Sequence, residues 1–390
     1  MKPRTRANHP PETVLKPGNR PLVAPIYQSV KFELGSLADT ESVWRGADVG
    51  FHYSRVANPG VRDLEQLLAE LQGREACVAV GTGMAAVAVT LFGLLSQGDH
   101  VLSFIESYAP TRAIIGRNLA RFGITNTLLS IEDRTGIERA LAERPTRLVW
   151  FESPTNPALK IVDIAHIVEQ ARRHGALTVM DNTFAGLEAH GATGVDLFVH
   201  SLTKYASGHG DVMGGAVIGA RDLVDQIRAQ AIAFGPAPDP HAAFLLQRGM
   251  KTYHLRRGAQ CDSAQKVAEY LARDARVARV RYPGLPRDPG HALACTQMPD
   301  YGSIVTLDLV GTPEQSRVFA DSLTLYSIAA SLGASDSLIV PPQLLQARDL
   351  TPDQRGVADI TRTTSRLSIG LEDPDDLIAD LISALDVAFA

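Results

Sequence analysis

Short apolar runs alternate with stretches of helical period across the middle of this chain, and that alternation restricts its fold more than any other feature. The runs His100 to Ile105, Arg147 to Phe151, Leu177 to Met180 and Val195 to His200 have the length and composition of buried strands. Between two of them, Ile164, Ile167, Val168 and Ala171 recur at three and four residues before Gly175, which predicts an amphipathic helix and its stop. Val61, Leu64, Leu67, Leu68 and Leu71 predict another, ending at Gly73. Strand and helix in alternation imply an α/β domain on a mostly parallel sheet, closed by the β-rich run Gly214 to Gly219.

At 390 residues and 45% apolar content the chain can fill two or three domains. Residues 1–55 are rich in Pro, Gly and Arg with little periodicity, so they read as an N-terminal arm ordered only by packing on something, a neighbouring subunit being one candidate. Residues 56–240 form the α/β unit. Gly235, Pro236, Pro238 and Pro240 make a stiff connection, and residues 241–390 read as a smaller C-terminal α+β domain. That domain opens with a largely helical stretch, Ala242 to Glu269. It carries the strand candidates Ile304 to Leu309 and Arg366 to Ile369, and it closes with a helix from Asp376 to about Phe389.

A net charge of −5 without a long basic run offers no footprint for nucleic acid or an anionic membrane. The longest apolar stretch, Met84 to Leu95, is too short to cross a bilayer, and Asn8, His9 and two prolines stand where a secretion signal needs an apolar core, so a cytoplasmic protein is expected. Three cysteines with no CxxC pair support neither a disulfide framework nor a thiolate zinc site. Eleven histidines include no H-E-x-x-H, and no metal is expected.

Ligands of an open parallel sheet bind beyond the carboxyl ends of its strands. Asp181 follows the strand Leu177 to Met180, and the strand Val195 to His200 runs into Ser201-Leu202-Thr203-Lys204. An acid and an amine at neighbouring strand ends suit pyridoxal phosphate, the acid keeping the pyridine nitrogen protonated and the lysine forming the Schiff base. The Ser201 and Thr203 hydroxyls and the turn Gly81-Thr82-Gly83-Met84, opening an apolar helix, supply donors for a phosphate. Ser201 to Lys204 also fits S-x-x-K of serine acyl-transfer enzymes, but the partner motifs are reduced to Ser335-Asp336-Ser337 and Lys251-Thr252-Tyr253. A cofactor-free scaffold would predict loss of the Lys or the Asp, and both are present.

Ten ordered motifs carry a resemblance over residues 20–390. They are P-I-Y-Q-S at 25–29, Y-S-R-V-A-N-P at 53–59, G-M-A-A at 83–86, E-S-P-T-N-P at 152–157 and M-D-N-T at 180–183, followed by S-L-T-K-Y at 201–205, R-G-M-K-T at 248–252, Y-P-G-L-P at 282–286, S-L-G at 331–333 and R-L-S-I-G-L-E-D at 366–373. The chain resembles the transsulfuration, or Cys/Met metabolism, family of pyridoxal phosphate enzymes of fold type I. The resemblance implies a large domain on a mostly parallel seven-stranded sheet with a smaller C-terminal α+β domain. It implies Lys204 as the cofactor lysine and catalytic base, Asp181 at the ring nitrogen, and Gly83, Met84, Ser201 and Thr203 at the phosphate. Tyr108 would stack on the ring, and Asn156 would lie near its phenolic oxygen. Arg366, helped by Ser331 and Asn156, would bind the substrate carboxylate. Tyr53 and Arg55 would reach the phosphate of a neighbouring subunit in a homodimer, itself half of a tetramer.

The reaction expected from this resemblance is C–S cleavage of cystathionine by β-elimination, giving homocysteine, pyruvate and ammonia. The alternative is γ-elimination or γ-replacement on the same residues. Departures from the pattern bear on that choice: Ala330 precedes S-L-G where γ-type members place Glu, and Gln260 and Asp336 replace the expected His and Glu. S-Y-A-P-T-R at 107–112 resembles β-lyases, whereas Y-S-R and E-S-P-T-N-P resemble γ-type members.

Overall fold

The computed structural model describes residues 2–8, 15–45, 50–345 and 349–390. Its large sheet contains β1 (Ala76–Val80), β2 (His100–Phe104), β3 (Thr125–Leu129), β4 (Leu148–Glu152), β5 (Leu177–Asp181), β6 (Leu197–Ser201) and β7 (Gly215–Gly219). They lie in the order β1-β7-β6-β5-β4-β2-β3, and β7 alone runs antiparallel to its neighbours. Alternate residues explain why the strands read as continuous apolar runs. Leu102, Val149, Met180 and Phe198 enter one core, while Val101, Trp150, Val179 and Leu197 enter the core on the opposite face. A sheet covered by helices on both sides needs apolar side chains in both directions.

Helices Pro59–Leu71, Ile164–Arg173 and Pro240–Met250 supply buried residues to the first core, and Gly83–Leu94 with Arg221–Phe234 supply the second. Helix Tyr253–Leu271 links the two parts of the molecule. Its Tyr253 belongs to the first core and its Ala264, Val267, Ala268 and Leu271 to a separate one. That third core underlies a five-stranded sheet of β8 (Val277–Arg281), β9 (Ile304–Leu309), β10 (Ser327–Ile328), β11 (Leu338–Val340) and β12 (Thr364–Ser368), ordered β10-β11-β12-β9-β8. Helices Pro313–Ser322 and Pro374–Ala388 cover it.

The N-terminal region departs from a wholly extended arm. Ser36 caps a helix, Leu37–Trp44, by accepting a bond from the Asp39 amide. Around that helix the chain is extended and mostly exposed, tied down where the Asn58 side-chain amide donates to the Tyr27 carbonyl (2.8 Å) and Lys31 pairs with Tyr53. Among the described residues no helix is long and apolar enough to cross a membrane.

Candidate active site

Three adjacent strands deliver three polar residues at their carboxyl ends: Glu152 on β4, Asp181 on β5 and Ser201 on β6. They border a cavity of about 610 Å³ between the two sheets, a volume ordinary for a small-molecule site. Its lining includes Gly83, Met84, Tyr108, Asn156, Asp181, Ser201, Thr203, Lys204, Ser331 and Arg366. Ten of the twelve residues singled out from sequence are thus brought together from both domains. Tyr53 and Arg55 are not among them. Arg55 instead donates to the Ile232 carbonyl (2.6 Å) and lies 5.7 Å from the Tyr53 ring centroid, with both side chains exposed.

The amine and the guanidinium of the cavity share one holder. Lys204 Nζ donates to Ser331 Oγ (2.9 Å), while Arg366 Nη2 donates to the Ser331 carbonyl (2.9 Å) and Nη1 to Asn156 Oδ1 (2.8 Å). Ser331 adopts φ 123°, a region unfavourable for any side chain, and such strain persists only where surrounding contacts fix it. Arg366 Nε is buried and has no protein partner. Burial lowers the Arg366 pKa to about 10, and burial followed by the Arg366 charge lowers that of Lys204, with Asp181 opposing. A lysine shifted in this direction holds its free base form more readily at neutral pH.

Burial raises Asp181, against the bonds from Thr183, whose amide donates to Oδ1 at 3.1 Å. Glu152 goes further, to about 8, because it is buried and the Asp181 charge adds to the penalty. Its Oε1 accepts the Asn156 amide (2.9 Å) and so sets the turn that presents the Asn156 side chain to Arg366. Glu152 was not singled out from sequence, although its place at a strand end, opening E-S-P-T-N-P, marks it. Arg112 was also missed. Its buried guanidinium donates to the carbonyls of Ile105 (2.9 Å) and Ser107 and to both oxygens of Asp349 (2.9 and 3.1 Å), fixing the turn that carries Tyr108. Burial raises the Tyr108 pKa.

The end of the cavity where a phosphate is expected is built by close approach. Thr82 caps helix Gly83–Leu94, and a Cβ on Gly83 would lie 2.8 Å from Ser201 Cβ and 2.9 Å from its Oγ, so only glycine lets the helix start meet β6. The first-turn amides of that helix have no intrahelical partners, and its dipole favours an anion there. An amine beside a buried acid, an anion-favouring helix start and an unpartnered guanidinium N–H together fit pyridoxal phosphate and an amino-acid carboxylate.

Comparison with known proteins agrees. Residues 12–386 match the family model described as "Cys/Met metabolism PLP-dependent enzyme". L-methionine gamma-lyase of Pseudomonas putida is 40% identical over 368 residues, 93% of this chain and 92% of that one. Cystathionine gamma-synthase 1 of Arabidopsis thaliana is 35% identical over 94% of this chain and 65% of its own length. Among solved structures, cystathionine gamma synthase of Xanthomonas oryzae superposes with a TM-score of 0.89 at 33% identity, covering 94% of both chains. A putative O-acetylhomoserine (thiol)-lyase of Campylobacter jejuni, carrying a pyridoxyl-lysine phosphate, also gives 0.89, at 31% identity over 94% of this chain and 96% of its own. The chain belongs to the pyridoxal-phosphate-dependent enzymes of Cys/Met metabolism, with their fold type I architecture.

Proposed function

We propose that this enzyme cleaves the C–S bond of a sulfur-containing L-amino acid by γ-elimination, using pyridoxal phosphate held at Lys204. The observation that carries the amino-acid site is the shared holder: Ser331 bonds the Lys204 amine through its hydroxyl and the Arg366 guanidinium through its carbonyl. The γ position is supported by the methionine gamma-lyase relative, and none of the relatives described above is named a β-lyase. β-Cleavage of cystathionine, the first expectation from sequence, therefore has less support than its γ alternative. γ-Replacement is the second reading, favoured by the cystathionine gamma-synthase likeness in sequence and in structure.

When bound, the cofactor supplies an electron-accepting ring that stabilises negative charge next to the amino nitrogen. Asp181 lies where a protonated ring nitrogen would offset the burial that raises its pKa. Arg366, which lines the cavity, receives the substrate carboxylate, and Asn156 and Ser331 hold the guanidinium in place. Lys204, its pKa lowered, would take the α-proton, pass it to the carbon that joins the cofactor to the substrate nitrogen, and as the free amine again take a β-proton, so that the thiolate departs from the γ-carbon. Tyr108 bounds the reacting end and excludes water, Thr203 joins Ser201, Gly83 and Met84 around the phosphate, and Tyr53 and Arg55 complete the same site in a neighbouring subunit of a homodimer or tetramer. Exchange of protons with deuterated water tests the order of events. The enzyme should place deuterium on both the α- and β-carbons of recovered substrate; exchange at the α-carbon alone would refute γ-chemistry.

A further inference from the structure

Helix Tyr253–Leu271 joins the two parts of the molecule, and its first turns present a stripe of buried polar side chains. Tyr253, Arg256, Arg257 and Gln260 stand at positions i, i+3, i+4 and i+7, which share one helix face, and all four are buried. None of them lines the cavity. Each bonds instead to backbone that follows a residue of the site.

Arg257 donates to the carbonyls of Phe184 (3.2 Å) and Ala185 (2.8 Å), and the Tyr253 hydroxyl accepts the Leu187 amide (3.2 Å). These bonds seat the turn after Asp181, whose Thr183 amide donates to the Asp181 carboxylate and whose Phe184 lines the cavity. Gly186, at φ 94°, allows the approach, since a Cβ there would collide with the Tyr253 hydroxyl. Arg257 is itself fixed by both oxygens of Asp300 (2.6 and 3.1 Å), and its guanidinium carbon lies 4.5 Å from the Tyr205 ring centroid.

The turn after Lys204 closes on Arg256. Arg256 Nη1 donates to the Tyr205 carbonyl (3.1 Å), and the Gly208 amide donates to the Lys204 carbonyl (2.8 Å), so the turn wraps the guanidinium. The remaining Arg256 bonds go to the Gly249 carbonyl (2.8 Å) and the Thr252 hydroxyl (3.2 Å), and among the described residues it has no carboxylate partner. A buried cation held by neutral acceptors alone costs stability that an apolar side chain of similar length would not. Stability therefore does not account for it. Gln260, which stands where the family resemblance leads one to expect His, donates to the carbonyl of Ala334 (2.7 Å), three residues beyond Ser331.

We propose that Tyr253, Arg256, Arg257 and Gln260 are positioning residues, and that this one helix face sets the Asp181, Lys204 and Ser331 segments against one another. The proposal rests on reading the cavity as the cofactor and amino-acid site, and it is independent of which carbon loses sulfur.

The test reads the visible absorption of the enzyme loaded with pyridoxal phosphate, without substrate, alongside steady-state kinetics and Tm. A protonated ring nitrogen lowers the proton affinity of the Schiff base, as any nearby positive charge does. Arg257→Lys keeps the charge and loses the fork, so Asp181 holds that ring proton less well. The pH midpoint of the absorption change should then rise by about one pH unit, in the same direction as in Asp181→Asn. Its kcat should fall about 10- to 100-fold, the scale of a displaced reacting group, and Arg256→Lys should show the same fall. Gln260→Met leaves the Ala334 carbonyl without its donor, so KM should rise about two- to tenfold while the midpoint stays in place. If Arg257→Lys does not fold, Tyr253→Phe, which keeps the ring and frees the Leu187 amide, carries the same expected rise in midpoint. Variants with a lowered Tm but wild-type midpoint, kcat and KM would overturn the proposal and leave the stripe a purely structural role. Wild-type protein with no visible cofactor band would overturn the reading of the cavity, and this proposal with it, whereas a normal wild-type band with unmoved variants overturns the proposal alone.

Discussion

Arg366→Lys is the substitution that separates substrate holding from the rest of the site. Arg366 is 6% exposed, and its Nη1 and Nη2 are committed to Asn156 and Ser331, which leaves Nε as the buried donor without a protein partner. Lysine keeps the charge but cannot satisfy both acceptors and also present a directed N–H. One charge-assisted hydrogen bond is worth about 1.5–3 kcal/mol. KM for the amino-acid substrate should therefore rise ~10- to ~150-fold while kcat changes far less, because in the proposed site the guanidinium binds the carboxylate and takes no part in proton transfer. Steady-state kinetics on the loaded enzyme reads this directly. Competitive inhibition by the corresponding amine, which lacks the carboxylate, supplies the control, since its Ki should be the same in both proteins. A wild-type KM in Arg366→Lys would refute the placement of the carboxylate at Arg366.

Three further outcomes follow from the same geometry. Gly83→Ala puts a methyl group 2.8 Å from Ser201 Cβ; overpacking of that kind costs about 1–3 kcal/mol, so pyridoxal phosphate titration should show a raised Kd and calorimetry a lower Tm, and neither change would remove the close approach as a constraint. Glu152 has a folded pKa of about 8 against an ordinary 4.5, so its neutral form is favoured in the fold. Its contribution is complete below about pH 4.5 and is lost as pH rises to about 8, at up to about 1.4 kcal/mol per pH unit. Denaturation of the cofactor-free protein at pH 5 and pH 8.5 should show a smaller pH difference for Glu152→Gln than for wild type, and parallel curves would contradict the burial argument. Arg55 lies outside its own chain's cavity, so mixing inactive Arg55→Ala with inactive Lys204→Ala subunits should restore part of the activity, whereas no recovery after proven subunit exchange would exclude a shared site.

Much of the large domain is written locally. β2, β4, β5 and β6 are apolar on both faces, so each reads as a strand without knowledge of its partners, and Asp181 and Lys204 follow from standing at the ends of two such strands. β1 was not seen because its run, Ala-Cys-Val-Ala-Val, is separated from the next apolar helix only by a short turn, which blurs the change of period. β3 and β8 are edge strands with mostly exposed or half-exposed residues, and the two arginines at alternate positions of β8, Arg279 and Arg281, hide its pattern; both pair with Asp308 and Asp359. The contact of Ile105 with Ala358 was illegible for a different reason. The two are far apart in sequence, as are the paired Arg112 and Asp349, and no local spacing encodes contacts of that range. Arg112 itself reads as one more surface arginine until its four bonds are seen.

The central claim is decided by the keto acid. The enzyme loaded with pyridoxal phosphate is incubated with L-methionine, its S-propyl homologue and cystathionine, and the product is identified by chromatography of the derivatised acid. The account predicts 2-oxobutyrate with ammonia and a released thiol; pyruvate as the product of cystathionine, with no 2-oxobutyrate from any of the three, would contradict it.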